Sequence, residues 1–194
     1  MIQGIVFDCD GTLADTMPIH WRAWEWTARK YDLRFTEERF YALGGVPAPD
    51  IVALLAKEQG LKLDAVAIGH EKEEEYLRRL QTVEPIPEVV NVAWEHRGRI
   101  PMAVASGGTL PIIDMVLRRL GIRELFQAVV TSEQVTRQKP APDIYLEAAR
   151  RIGISPQHCR GYEDTDLGIE AVRAAGMEAI DVRNLRKPAS STSL

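Results

Sequence analysis

Short apolar runs separated by longer amphipathic stretches set the pattern of this chain. Residues 2–7 form the first run, with Ile5 and Val6 inside it and no polar alternation. A central strand covered on both faces reads this way. Further strands are predicted at 100–105, 126–131, 158–162 and 178–182. Between the later runs, helical stretches are predicted at about 87–96, 109–120, 140–152 and 166–175. Glycines Gly121, Gly153 and Gly176 stand where the last three of these should stop. Strands alternating with helices predict a parallel sheet with helices on both faces.

The interval between the first and second runs breaks that rhythm. Thr16-Met17-Pro18 begins a helix with proline in its first turn, and Trp24, Ala28 and Tyr31 share one of its faces. Thr36 is a candidate cap for a second helix ending at Gly44-Gly45. Val46-Pro47-Ala48-Pro49 reads as a stiff loop, after which Asp50 is placed to cap a third helix ending near Gly60. A fourth spans 64–80, and its charged run from Glu71 to Glu75 reads as a solvated face. No ordinary strand-to-helix connection is this long. The pattern therefore predicts an inserted all-helical unit over 15–85, with 1–14 and 86–194 forming the α/β core. Val83-Glu84-Pro85-Ile86-Pro87 is the expected link back. The end of the chain from Arg183, closing on Pro188-Ala189-Ser190-Ser191-Thr192-Ser193, is expected to be mobile.

Composition narrows the class. The chain has 194 residues, 45% of them hydrophobic and 27% charged, enough for one sizeable core and a small insert. Its net charge of -4 argues against general nucleic-acid binding. No apolar run approaches the roughly 20 residues that span a bilayer, and no N-terminal signal pattern is read. Two cysteines, Cys9 and Cys159, are too few for a disulfide framework and suit a reducing cytoplasm. Cys9 lies between two carboxylates, which disfavour a thiolate, so it reads as a packed side chain. Without a long apolar heptad, a monomer is expected.

The chemistry gathers at the ends of the predicted strands, where open α/β sheets bind ligands. Asp8 and Asp10 follow the first strand, and Gly11 permits a sharp turn there. Ser106-Gly107-Gly108 follows the second, Lys139 lies beyond the third, and Glu163-Asp164 ends the fourth. Each has a plainer reading alone: an Asp-Gly turn, a helix cap at Ser106 to Thr109, a surface lysine, an acidic pair facing a helix dipole. Their joint placement after successive strands makes the plainer reading poor. Four carboxylates and one lysine need compensation, and the oxygen-rich set suits Mg²⁺ rather than Zn²⁺. A phosphate sharing that ion gives each residue a role. Asp8 is the candidate nucleophile and Asp10 the candidate acid and base. Ser106 and backbone N–H groups near Gly107 bind phosphoryl oxygens, and Lys139 neutralises the transferring group. Asp8, Asp10 and Asp164 are the expected metal ligands, with Glu163 acting through a water.

These motifs, Asp8-Cys9-Asp10-Gly11-Thr12-Leu13, Ser106, Lys139-Pro140-Ala141-Pro142-Asp143 and Glu163-Asp164-Thr165 with Gly168, resemble in order those of the haloacid dehalogenase (HAD) superfamily of phosphatases. The resemblance covers essentially the whole chain and implies a Rossmann-like core. The helical insert resembles the small cap of the β-phosphoglucomutase-like branch. Within that branch, His20-Trp21-Arg22-Ala23-Trp24 and Arg99-Ile100-Pro101-Met102-Ala103-Val104 are similar to fructose 1-phosphate phosphatase-type proteins. The resemblance implies that His20 lies near the active site and that Lys72 can touch substrate. The alternatives are core packing for His20 and a solvent-facing lysine for Lys72. One departure bears on the reaction: 45–50 contains no basic residue where the mutase holds a second phosphate with arginine. The expected activity is therefore Mg²⁺-dependent hydrolysis of a small sugar phosphate through an aspartyl-phosphate. The alternatives are a sugar-phosphate mutase, and a non-enzymatic phospho-receiver, which the large insert disfavours.

Overall fold

The computed structural model describes residues 1–44 and 46–185. Five parallel strands, β1 Gly4–Phe7, β2 Met102–Ser106, β3 Ala128–Thr131, β4 Cys159–Glu163 and β5 Glu178–Asp181, form one sheet in the order β3-β2-β1-β4-β5. β1 is central, and the chain reverses direction across the sheet between β1 and β4. That switch point opens a crevice beyond the carboxyl ends of the strands.

Successive residues of β1 point to opposite faces. Ile5 and Phe7 join one apolar cluster, and Val6 joins the other. On the first face lie α5 Pro87–His96 and α6 Leu110–Arg119. Val89, Ala93, Ile113 and Leu117 pack there. On the second lie α7 Asp143–Arg151 and α8 Asp166–Ala174. Ile144, Ala148, Ala171 and Val172 pack there. Because both faces are covered, β1 and β2 show uninterrupted burial.

Between β1 and β2 the chain builds α1 Met17–Tyr31, α2 Glu37–Ala42, α3 Ala48–Gln59 and α4 Ala65–Arg79, then a short 3₁₀ turn, Leu80–Thr82. Trp24, Phe40, Ile51, Leu55 and Ile68 form a third apolar cluster among these helices. The neighbouring Ile19, Ala23, Tyr76 and Leu80 instead join the cluster on the sheet. The chain leaves and re-enters the core on adjacent segments. The Asp15 N–H donates to the Glu84 carbonyl at 2.9 Å, and the Ile86 N–H to the Leu13 carbonyl at 2.9 Å.

Thr36 and Asp64 cap α2 and α4 through their side chains, accepting from the N–H groups of Arg39 and Ala67. Asp50 does not cap α3. Pro47 holds the cap position, and Asp50 lies inside the first turn. Proline lacks the N–H that a first turn leaves unsatisfied, so Pro49 fits inside the first turn instead of delaying it. Nor is the Glu71–Glu75 run wholly solvated. Lys72 and Glu75 are buried, Lys72 at 3% exposure, because helical geometry turns part of any consecutive run inward. The beginning of the expected mobile tail is structured: Val182–Asn184 is a 3₁₀ turn, and Arg183 pairs with Asp166 and Asp181. The rest of that tail, including 188–193, lies outside the described residues. No helix among the described residues is long and apolar enough to cross a membrane.

Candidate active site

β1 ends at Phe7, which delivers Asp8 to the crevice with only 5% of its surface exposed. Gly11 then turns with φ of 81°. A Cβ at this position would overlap the Asp164 carboxylate, so glycine here lets the first and fourth strand ends converge. Thr12 Oγ1 donates to Asp164 Oδ1 at 3.3 Å.

Lys139 comes from the loop after β3 and is as buried as the carboxylates it meets. Its Nζ donates to Asp8 Oδ1 at 2.7 Å and to Glu163 Oε1 at 2.6 Å. Burial works against the ammonium charge, but Asp8 and Glu163 outweigh it and hold the lysine well above its ordinary pKa. Burial also pushes the Asp8 carboxyl well up. Lys139 opposes that shift, and Glu163, Asp164 and Asp10 reinforce it. A buried acid surrounded by three others therefore wants more positive charge than one lysine supplies.

Ligand atoms of Asp8, Glu163 and Asp164 all lie within 4.8 Å of one another. The donors are hard oxygens, and the local charge is short of cations, so the set fits Mg²⁺. Glu163 is held from several sides. Its Oε1 accepts from Lys139 and from the Tyr145 hydroxyl at 3.2 Å. Its Oε2 accepts from the N–H groups of Asp164 and Thr165, each at 2.8 Å, and from Thr165 Oγ1 at 3.0 Å. A Cβ at residue 168 would overlap this carboxylate, which explains the glycine there.

The Asp10 carboxylate lies outside that trio. Its Oδ1 accepts from Thr16 Oγ1 at 2.7 Å and faces His20 Nε2 at 3.6 Å. Its Oδ2 is 3.5 Å from Ser106 Oγ. Burial pushes this carboxyl up, but hydrogen bonds and charge from His20, a hydrogen bond from Thr16 and the charge of Lys72 outweigh burial, and the net shift is downward. His20 Nδ1 and Lys72 Nζ are 2.7 Å apart. The His20 ring lies flat on Tyr76, with centroids 3.9 Å apart. Ser106 ends β2 and accepts from the Gly108 N–H at 3.1 Å.

Every site residue expected from sequence meets in one cavity of about 330 Å³: Asp8, Asp10, His20, Lys72, Ser106, Gly107, Lys139, Glu163 and Asp164. No role in the site was expected of Thr16, Tyr76 or Tyr145, and Thr165 entered only as part of the fourth motif. Thr16 and His20 are four residues apart at the start of α1 and so share a face. That spacing was a usable signal for Thr16. Tyr145 and Tyr76 carried none, being aromatic residues on amphipathic helices.

The family model for haloacid dehalogenase-like hydrolases matches residues 2–176. The chain is 42% identical over 183 residues to fructose-1-phosphate phosphatase YqaB of Escherichia coli, covering 94% of this chain and 97% of that protein. It is 27% identical over 190 residues to β-phosphoglucomutase of Bacillus subtilis, covering 93% and 83%. A β-phosphoglucomutase crystal structure from Clostridium difficile shares the fold with a TM-score of 0.85 at 24% identity, covering 95% of this chain and 87% of that one. With the whole motif-bearing core matched and the strand ends converging as described, the chain belongs to the haloacid dehalogenase-like hydrolases and is a phosphatase of that family.

Proposed function

We propose that this phosphatase hydrolyses a small neutral sugar monophosphate, such as a hexose phosphate, through a phosphorylated Asp8. The observation that carries the reading is Asp8 itself, buried at a strand end and held by Lys139 at 2.7 Å. The similarity to a fructose 1-phosphate phosphatase over nearly both full lengths supports the substrate class.

Asp8 Oδ attacks phosphorus, and the P–O bond to the sugar breaks. Asp10 gives its proton to the leaving sugar oxygen. Its carboxyl is held low before substrate binds. A phosphate dianion beside it raises that value and makes the acid form available. In the second half, ionised Asp10 takes a proton from water, which attacks the phosphoryl group and releases Asp8 and inorganic phosphate. Ser106 and the N–H groups near Gly107 bind phosphoryl oxygens, and Lys139 balances charge at the nucleophile. Asp8 and Asp164 would hold Mg²⁺ directly, with Glu163 acting through a water or through Lys139. When bound, the ion supplies positive charge to the phosphoryl oxygens.

Residues 15–85 serve as a cap whose inner wall covers the substrate and excludes bulk water. Two buried free cysteines suit a cytoplasmic location. A mutase is the second reading, favoured by the β-phosphoglucomutase relatives. The absence of a basic residue at 45–50 weighs against it. The experiment is phosphate release from a panel of sugar phosphates with and without Mg²⁺, alongside Asp8→Asn. Release that needs Mg²⁺ and falls at least about a thousandfold in Asp8→Asn supports the reading. Full activity in Asp8→Asn, or isomerisation without phosphate release, overturns it.

A further inference from the structure

Resting on the sugar-phosphatase reading, we infer that Glu73 on α4 is a specificity-determining residue that turns away substrates carrying a second anionic group. The cavity is electrically lopsided. Five carboxylates line it, Asp8, Asp10, Glu73, Glu163 and Asp164, against two ammonium groups, Lys72 and Lys139. Lys139 is committed to Asp8 and Glu163 at the phosphate end. Lys72 is the lysine left for the cap end, and it too is committed. Glu73 Oε1 accepts from its Nζ at 3.0 Å, and the Lys72 side chain is 3% exposed.

The lining contributed by the segment before α3 and its first turns offers no replacement. Phe40, Val46, Pro47 and Ile51 belong to it, and no residue from 40 to 51 is basic. A second phosphate or a carboxylate entering this end would lose its hydration and meet Glu73 with no unpaired lysine or arginine among the described lining residues to receive it. Neutral hydroxyl groups face no such penalty. Glu73 can accept hydrogen bonds from them, and the ring of His70, which also lines the cavity, offers a further polar partner. Specificity here comes from a repulsive element as much as from an attractive one. At 33% side-chain exposure, Glu73 is open enough to meet a ligand and is not part of the packed core.

Glu73→Gln keeps the size and removes the charge, and it frees Lys72. The test compares wild type, Glu73→Gln and Glu73→Asp on a neutral hexose monophosphate, a hexose bisphosphate and an aldonic acid phosphate. The same pairs are measured by calorimetric binding in an Asp8→Asn background, which reads recognition without turnover. In Glu73→Gln, kcat/KM and affinity for the two doubly anionic compounds should rise about tenfold relative to the monophosphate, mainly through KM. Glu73→Asp should keep the wild-type ratio. A ratio unchanged in Glu73→Gln, while the monophosphate is still hydrolysed, overturns the role of Glu73 alone. If wild type neither binds nor hydrolyses any of the three, the sugar-phosphatase reading fails and this inference with it.

Discussion

In the proposed mechanism Asp10 serves first as acid and then as base. Thr16, His20 and Lys72 surround it with donors and positive charge, which favour its ionised form against the cost of burial. That form is the one needed to activate water. Asp10→Asn should lower kcat by about 10²- to 10⁴-fold while leaving Mg²⁺ affinity close to wild type, because its carboxylate lies outside the metal trio. Equal loss of both, read by steady-state rates and metal titration, would contradict the separation of roles. Thr16→Val removes one donor to ionised Asp10, so the carboxyl should rise. Dephosphorylation needs the ionised base, and its rate climbs with pH through that value. The acid limb of single-turnover dephosphorylation should therefore move to higher pH in Thr16→Val. A limb that stays in place would mean that Thr16 does not act through Asp10.

At the scale of elements, α7 carries a charge clamp at its last turn. Glu147 accepts from Arg150 at 2.7 and 2.8 Å and from Arg151 at 2.7 Å. Hydrogen bonds from the two arginines hold its carboxyl at about 2, below its ordinary value of 4.5. A depressed carboxyl stabilises the fold above its unfolded value and loses that contribution as pH falls through the folded one. Wild type should therefore lose stability between pH 4.5 and about 2 more steeply than Glu147→Gln. Melting temperature against pH checks this, and parallel curves would deny the clamp any role. The helices themselves were legible because their signals are local. Thr36, Asp64 and Pro87 mark starts, and β1, β2 and β3 end where a polar residue interrupts an apolar run. What the linear pattern hid was direction. Lys72 belongs to an acidic run that looks solvated, yet it points at His20 because α4 packs along α1. Asp50 looked like a cap, but Pro47 holds that position and α3 begins at Ala48. The site was legible as strand ends, since Asp8, Ser106 and Glu163 need only the sheet to bring them together. Tyr76 and Tyr145 needed the packing of helices against that sheet, which no local spacing encodes.

The whole molecule is tied together through its cavity. The cap helices are not independent of the core, because Ile19, Ala23, Tyr76 and Leu80 share the apolar cluster that covers the sheet. Asp8, Glu163 and Asp164, from two distant segments, put unfavourable negative charge at the centre of this arrangement, and a divalent cation held there would relieve it only in the folded state. A ligand that binds the native state alone stabilises by an amount set by its concentration over Kd, about 2.7 kcal/mol at a hundredfold excess. For a chain of this length that corresponds to a rise of roughly 5–10 °C in melting temperature. Saturating Mg²⁺ with inorganic phosphate should produce such a rise in one transition, since cap and core share the cavity wall and part of a core. Metal-free Asp8→Asn should melt no lower than wild type, because the change removes a buried charge while Lys139 keeps Glu163 as its partner. Most of the Mg²⁺-dependent rise should vanish in that variant. A full rise in Asp8→Asn would place the cation elsewhere, and two separate transitions would show that the cap melts on its own.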